Sequence, residues 1–478
     1  MSDSVAIETR PANTPMALKR VIGPSGFFTL AVGAMVGSGW VVVLGDWLRA
    51  AGPGGAIVGF VAGGATMICI AMCYGELASR SGRAGGEFLF VRDALGRGPA
   101  FLVGWFLTLF AAAVCAFESV VLATLIHTLF PGMGAMVLYR VGGQPIDASS
   151  LAIGFAGATL VGLLHWGGAH GAIRFQNIVT FGFITLMVVV ITLGIALGNP
   201  KNLAPAFQSM DGRSWTYGAV WVFSLCAFFL NGWQSALHAI EERREGISVA
   251  HAIRAVVAGI GAATLIYCGI IFSAASAVPW QQITGDPLPA RAAFDQLMPG
   301  WGLGTLVIGT AAISVAKTWS AVAWLGTRLV VALSRDRLLP SFLAVTDARH
   351  GSPRRAILLI TALSLAGPLM GRAALLPLVD MVSICLALSI LLCLIVLIRQ
   401  RRHGAALPDY RAPGGIMTIW VGLFLAVTMI GIAIVNPILE HPGKVPAEWI
   451  LLAAWAVTGG LYYVVFVKES FAEDARHE

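Results

Sequence analysis

Four short stretches hold residue types that could do chemistry. The first is Gly33-Ala34-Met35-Val36-Gly37-Ser38-Gly39-Trp40, inside an apolar run from about Phe27 to Trp47. Glycine costs a helix interior roughly 1 kcal/mol relative to alanine. Gly37-Ser38-Gly39 also lacks the bulk to shield its own backbone. A helix broken here frees N–H and C=O groups and offers half-helix ends to a small charged solute. Val36, Gly37, Ser38 and Gly39 therefore read as a grip on a solute carboxylate. The competing reading is close helix packing through small residues. The second stretch, Phe229-Leu230-Asn231-Gly232-Trp233, contains two more poor helix formers. Phe229, Asn231 and Gly232 are its candidate binding residues, although Asn231 could equally serve an interhelical hydrogen bond. The other two stretches are single charges in apolar runs, Glu118 and Lys317. Insertion scales put such a central charge at about 2.5–3.5 kcal/mol, so it needs a partner or a role. Lys317 reads as a coupling group or as a fixed or snorkelling cation. Glu118 reads as a coupling group or as a tether between helices.

The elements that would hold these residues follow from composition. The chain has 478 residues, 57% hydrophobic and 12% charged, with a mean hydropathy of +0.81. Soluble proteins carry about 25% charged residues, so this is an all-α integral membrane protein. One crossing takes about 20 residues. The apolar runs give about twelve spans, near 27–48, 54–79, 100–129, 149–168, 175–198, 216–240, 252–278, 302–333, 355–371, 374–398, 416–436 and 448–467. Residues 1–20 and 468–478 read as cytoplasmic tails, and no cleavable leader precedes the first span. With the N-terminus inside, 23 of the 31 Lys and Arg fall on the cytoplasmic side. That asymmetry sets the orientation and explains the net charge without nucleic acid. The cysteines lie in apolar segments without metal-ligand spacing and read as packing residues. His127, His165 and His170 fall at span ends and read as interfacial. Gly52-Pro53-Gly54-Gly55 marks a tight turn into the second span.

The Gly37-Ser38-Gly39 break is followed by a glycine-bearing inner loop, Arg83-Ala84-Gly85-Gly86-Glu87-Phe88. Glu241-Glu242 closes the sixth span. Arg328, Leu333-Ser334-Arg335-Asp336 and Leu338-Leu339-Pro340 close the eighth, and Pro353 and Ala356 open the ninth. As a set these residues resemble the amino acid–polyamine–organocation superfamily of permeases, over roughly residues 20 to 465. The resemblance implies a LeuT-like core of two inverted five-helix repeats, at approximately 21–200 and 213–400. Two additional helices would follow at 401–467. Spans 1 and 6 would be the discontinuous pair around a central site, and spans 3 and 8 repeat counterparts. In sodium-coupled members of this wider fold, span 8 hydroxyls and span 1 backbone hold a cation, and Lys317 falls close to those positions. Three departures stand out. Gln234 replaces a frequent glutamate, and Trp40 a frequent isoleucine. Phe183 sits where many proton-coupled relatives carry a span 5 lysine.

The implied function is a secondary permease moving an amino acid or related amine across the cytoplasmic membrane by alternating access, with proton coupling. The alternatives are an amino acid or amine exchanger, or a channel or solute sensor on the same fold. An enzyme is disfavoured, because no nucleophile–base, HExxH or paired-aspartate constellation lies in the spans. Without a Walker motif, ATP drive is not expected. No cofactor is called for, and nothing in the sequence argues a particular oligomeric state.

Overall fold

The computed structural model describes residues 18–133, 136–347, 350–402, 408–440 and 445–467. The tails expected at 1–20 and 468–478 lie outside the described residues, except for 18–20. Twelve helices among those described are long and apolar enough to cross a membrane. They are Pro24–Val42 (span 1), Leu44–Ser81 (2), Arg97–Leu129 (3), Ala148–Trp166 (4), Ala169–Leu197 (5), Trp215–His238 (6), Val249–Ala277 (7), Leu303–Arg335 (8), Arg354–Gly371 (9), Ile384–Arg402 (10), Gly415–Ile432 (11) and Trp449–Val467 (12). Spans 1, 6 and 8 are the most deeply buried. Spans 11 and 12 pack on the outside. Span 12 joins span 3 through Trp105 and Trp455, whose rings stack at 4.6 Å.

Span 1 is helical over Pro24–Met35, leaves helical geometry at Val36 (φ −95°, ψ 81°), and resumes at Gly39–Val42. Span 6 stops at Phe229 and restarts at Gln234. Both breaks fall where the sequence places them. The expected turn is a single kink at Gly52, with φ 68°, inside the long helix Leu44–Ser81. A second kink, at Gly371 with φ 69°, separates spans 9 and 10.

The loops hold more structure than the sequence indicates. The inner loop contains a helix, Gly86–Leu95. Spans 3 and 4 are joined by a two-stranded hairpin, Val137–Val141 with Gln144–Asp147. A short helix, Pro289–Leu297, precedes span 8. Each is too short to give a periodic signal that stands out from its flanks. His165 corrects an expectation. It is buried in span 4, 3.4 Å from the Ser320 hydroxyl of span 8, and is not interfacial. All seven cysteines are free.

The two ends of the bundle differ. One carries the Gly52 kink, the hairpin and Pro289–Leu297, and is called here the hairpin end. The other carries Gly86–Leu95, Glu241-Glu242 and the arginine-rich ends of spans 8 and 10, and is called here the basic end.

Candidate functional site

The two breaks meet. Gly232 has φ 99°, a conformation that only glycine adopts without strain. A Cβ there would stand 2.9 Å from the Ala34 carbonyl oxygen of span 1. Gly39 is held as closely, since its Cβ would lie 2.4 Å from Cε1 of Phe229. Each span is therefore opened where the other crosses it.

The carbonyls freed in span 1 are taken up by span 8. Thr318 Oγ1 donates to Gly33 O at 2.8 Å, and Ser314 Oγ donates to Gly37 O at 3.0 Å and to Val36 O. Lys317 Nζ donates to Gly33 O at 3.2 Å and to Val36 O. Tyr267 of span 7 donates to Met35 O at 3.2 Å. The freed N–H groups are different. Those of Gly37, Ser38 and Gly39 have no protein acceptor among the described residues. In span 6 the Gly232 N–H donates to Asn231 Oδ1 at 2.6 Å and to Gln234 Oε1 at 2.9 Å. Gln234 thus caps its own helix break.

Part of this crossing lines a cavity of about 810 Å³. Its floor includes Met35, Gly37, Ser38, Gly39, Glu118, Phe229, Asn231, Tyr267 and Thr318. Two polar atoms on it are buried and lack a partner, Glu118 Oε2 and Asn231 Nδ2. The tether considered for Glu118 is not made, because no hydrogen bond to its carboxylate is present among the described residues. Phe229 is fixed by an aromatic cluster, with ring centroids 5.0 Å from Trp47 and 6.0 Å from Tyr267. Among the residues expected from sequence, Gly37, Ser38, Gly39, Phe229, Asn231 and Glu118 line the cavity. Val36, Gly232 and Lys317 sit behind it. Lys317 is fully buried on the far side of span 1, 4.3 Å above the Phe183 ring. No ion pair joins it to Glu118 among the described residues.

Sequence reasoning missed Ser314, Thr318 and Tyr267. The hydroxyls flanking Lys317 one turn back and one residue on were the available signal. It also missed the charged mouth, where Asp46, Arg49, Asp211 and Arg213 line the cavity as it opens at the hairpin end.

The basic end is shut. Arg328 of span 8 pairs with Glu242 at 2.8 and 3.1 Å, both buried, and its guanidinium lies 3.6 Å above the Trp324 ring. Arg335 pairs with Glu241 at 2.8 Å, and Arg92 with Asp336. Burial pushes the Glu242 carboxyl up, against the pull of Arg328. At Glu241 burial is outweighed by Arg335 and by the Ala84 and Leu18 amides, which hold the carboxyl down. Its contribution is therefore present above the ordinary carboxylate range and is lost as pH falls through it. Removing one partner of a buried pair costs about 3–5 kcal/mol. Arg328→Ala is expected to lower the thermal unfolding midpoint and to expose this end to a water-soluble probe. An unchanged midpoint and accessibility would remove the pair from the seal.

Asn231→Leu removes the unpartnered Nδ2 from the cavity floor, while the Gly232 N–H loses Asn231 Oδ1 but keeps Gln234 Oε1. The substitution is expected to weaken the apparent affinity for solute roughly tenfold, the loss of one hydrogen bond of about 1–1.5 kcal/mol. Uptake kinetics with unchanged KM and kcat would make Asn231 a packing residue.

The family model described as amino acid permease matches residues 22–462. The chain is similar to the methylthioribose transporter of Bacillus subtilis, 22% identical over 467 residues that cover 95% of this chain and 94% of the relative. It is also similar to the branched-chain amino acid permease BcaP of the same organism, 25% identical over 70% of this chain and 72% of that protein. Cationic amino acid transporter 1 of Arabidopsis thaliana is 24% identical over 75% of this chain and 59% of its own length. With these matches spanning the twelve-helix bundle and its paired helix breaks, the chain belongs to the amino acid permeases of the amino acid–polyamine–organocation superfamily.

Proposed function

We propose that the protein is a secondary transporter that carries an amino acid or related amine across the cell membrane by alternating access. The observation that carries this reading is the cavity floor. It combines the acceptor-free amides of Gly37, Ser38 and Gly39 with the unpartnered Glu118 carboxylate and Asn231 amide. Amides at a helix break suit a carboxylate, and a buried unpaired carboxylate suits an ammonium. The relatives named for branched-chain and cationic amino acids support the same solute class.

The arginine-rich basic end is the cytoplasmic face in this reading, with both termini inside. The cavity then opens outward. Spans 1–5 and 6–10, at approximately 21–200 and 213–400, act as inverted repeats, with residues 401–467 added to them. The equal length of spans 3 and 8, 33 residues each, and the matched breaks of spans 1 and 6 support that division. Coupling is assigned to protons through Lys317, which holds the span 1 carbonyls from behind the site.

Purified protein in proteoliposomes, offered a panel of labelled amino acids, amines and methylthioribose, tests the reading. Saturable uptake of an amino acid or amine that an inward proton gradient accelerates is the expected result. Uptake that requires internal solute and ignores the gradient makes the protein an exchanger. Linear, unsaturable flux makes it a channel.

A further inference from the structure

The cavity continues past its polar floor toward the basic end, and its chemistry changes there. Span 3 follows the helix Gly86–Leu95 of the basic end, and span 8 follows Pro289–Leu297 of the hairpin end. Positions before Glu118 on span 3 and after Thr318 on span 8 therefore lie below the helix breaks, on the basic-end side. Val114 and Phe110 line the cavity one and two turns below Glu118, about 6 and 12 Å along the axis. Val322 lines it one turn below Thr318. Span 1 adds Ala34 and Met35, the last residues before its break. These five apolar side chains form a recess. Its backbone acceptors are engaged or covered, because the Met35 carbonyl accepts from Tyr267 and the Ala34 carbonyl packs against Gly232. The nearest hydroxyl, Thr318 Oγ1, already donates to Gly33 O.

The charges that line the cavity lie elsewhere. Asp46, Arg49, Asp211 and Arg213 are at the mouth, on the other side of the breaks. Among the described residues that line the floor or the recess, Glu118 alone is charged. Its Oε1 would stand 3.3 Å from a Cβ on Gly37, so it adjoins the bare amides of span 1. An α-amino acid whose carboxylate takes those amides presents its α-ammonium to Glu118. No second acid is left for a cation farther along the molecule, and no cation for an acid.

We propose that the transported solute is an amino acid with an uncharged apolar side chain, which lodges in this recess and points at the closed basic end. The proposal deepens the transporter reading and rests on it. An aliphatic or aromatic side chain exchanges water for apolar contacts there. The ammonium of a lysine side chain or the carboxylate of a glutamate side chain would be buried without a counter-charge or a free hydrogen-bonding partner. Val114 and Val322, one turn below the floor on neighbouring spans, set the width available to the side chain. Phe110, a further turn down, ends the recess.

Competition for uptake by the full-length protein in proteoliposomes reads the recess. The label is the amino acid taken up fastest, and the competitors are valine, leucine, methionine, phenylalanine, lysine and glutamate. The four apolar competitors are expected to act at concentrations roughly tenfold or more below those of lysine and glutamate. Val114→Ala and Val322→Ala each widen the recess. Each should raise the preference for phenylalanine over valine by roughly tenfold, the discrimination that a methylene of pocket space supplies. Either variant serves if the other does not fold. Lysine or glutamate competing as well as leucine, or a phenylalanine-to-valine preference that no folded variant moves, overturns the recess and leaves the transporter reading standing. Uptake of no amino acid at all removes both.

Discussion

Gly39→Val is expected to abolish uptake while the protein still inserts and remains monodisperse. The first atom added would stand 2.4 Å from the Phe229 ring. Trp47, Phe60 and Tyr267 pack against that ring, so it can yield only into the cavity, where solute would sit. Overpacking of this kind costs about 1–3 kcal/mol. Here it falls on the contact that keeps both breaks open and their amides bare. Gly37 offers a graded comparison. Its Cβ would meet Glu118 Oε1 at 3.3 Å and Thr318 Oγ1 at 3.7 Å, so Gly37→Ala should retain part of the activity and Gly37→Val none. Normal initial rates for both valine variants would remove the basis for a backbone grip on solute.

Lys317→Ala is expected to erase the pH dependence of uptake while solute binding partly survives. Binding survives because Thr318 and Ser314 still donate to the Gly33, Val36 and Gly37 carbonyls. Loss of the ammonium removes the one charged donor on those carbonyls among the described residues. A lysine that gains and loses a proton would tighten and loosen span 1 and so shift the balance between two conformations. Lys317→Arg should not rescue, because guanidinium stays charged at any usable pH. Initial uptake rate against pH, with and without an imposed proton gradient, is the readout. An alanine variant with wild-type pH and gradient responses would make Lys317 a structural cation.

The coarse architecture was legible because its signals are strong and local. Twenty-residue apolar runs with one-sided arginines have few other solutions in a bilayer. Gly37-Ser38-Gly39 and Asn231-Gly232 marked both breaks, since few other residue types give up a helix so readily. Lys317 was conspicuous as a charge in an apolar run. Its place against the span 1 carbonyls came from the family resemblance, which set it near the cation position, and not from spacing. Phe183 was noted only as a missing lysine, yet its ring lies 4.3 Å below the Lys317 ammonium. A contact between spans 5 and 8 is set by tertiary packing, and single-sequence periodicity carries no trace of it. Ser314 and Thr318 were overlooked because hydroxyls in a membrane helix ordinarily bond to their own backbone. These two instead reach across to span 1.

Competition for uptake by chemically trimmed solutes tests the central claim most directly. The claim is that the span 1 amides, with the free Asn231 Nδ2–H, hold a carboxylate and that Glu118 faces the amine. The best-transported amino acid from the panel is competed with its unlabelled self, its methyl ester and its decarboxylated amine. The account predicts full competition by the parent acid, and loss of competition of roughly tenfold or more for each trimmed form, about 1.4 kcal/mol or more. Methyl ester and amine competing as well as the parent acid would contradict it.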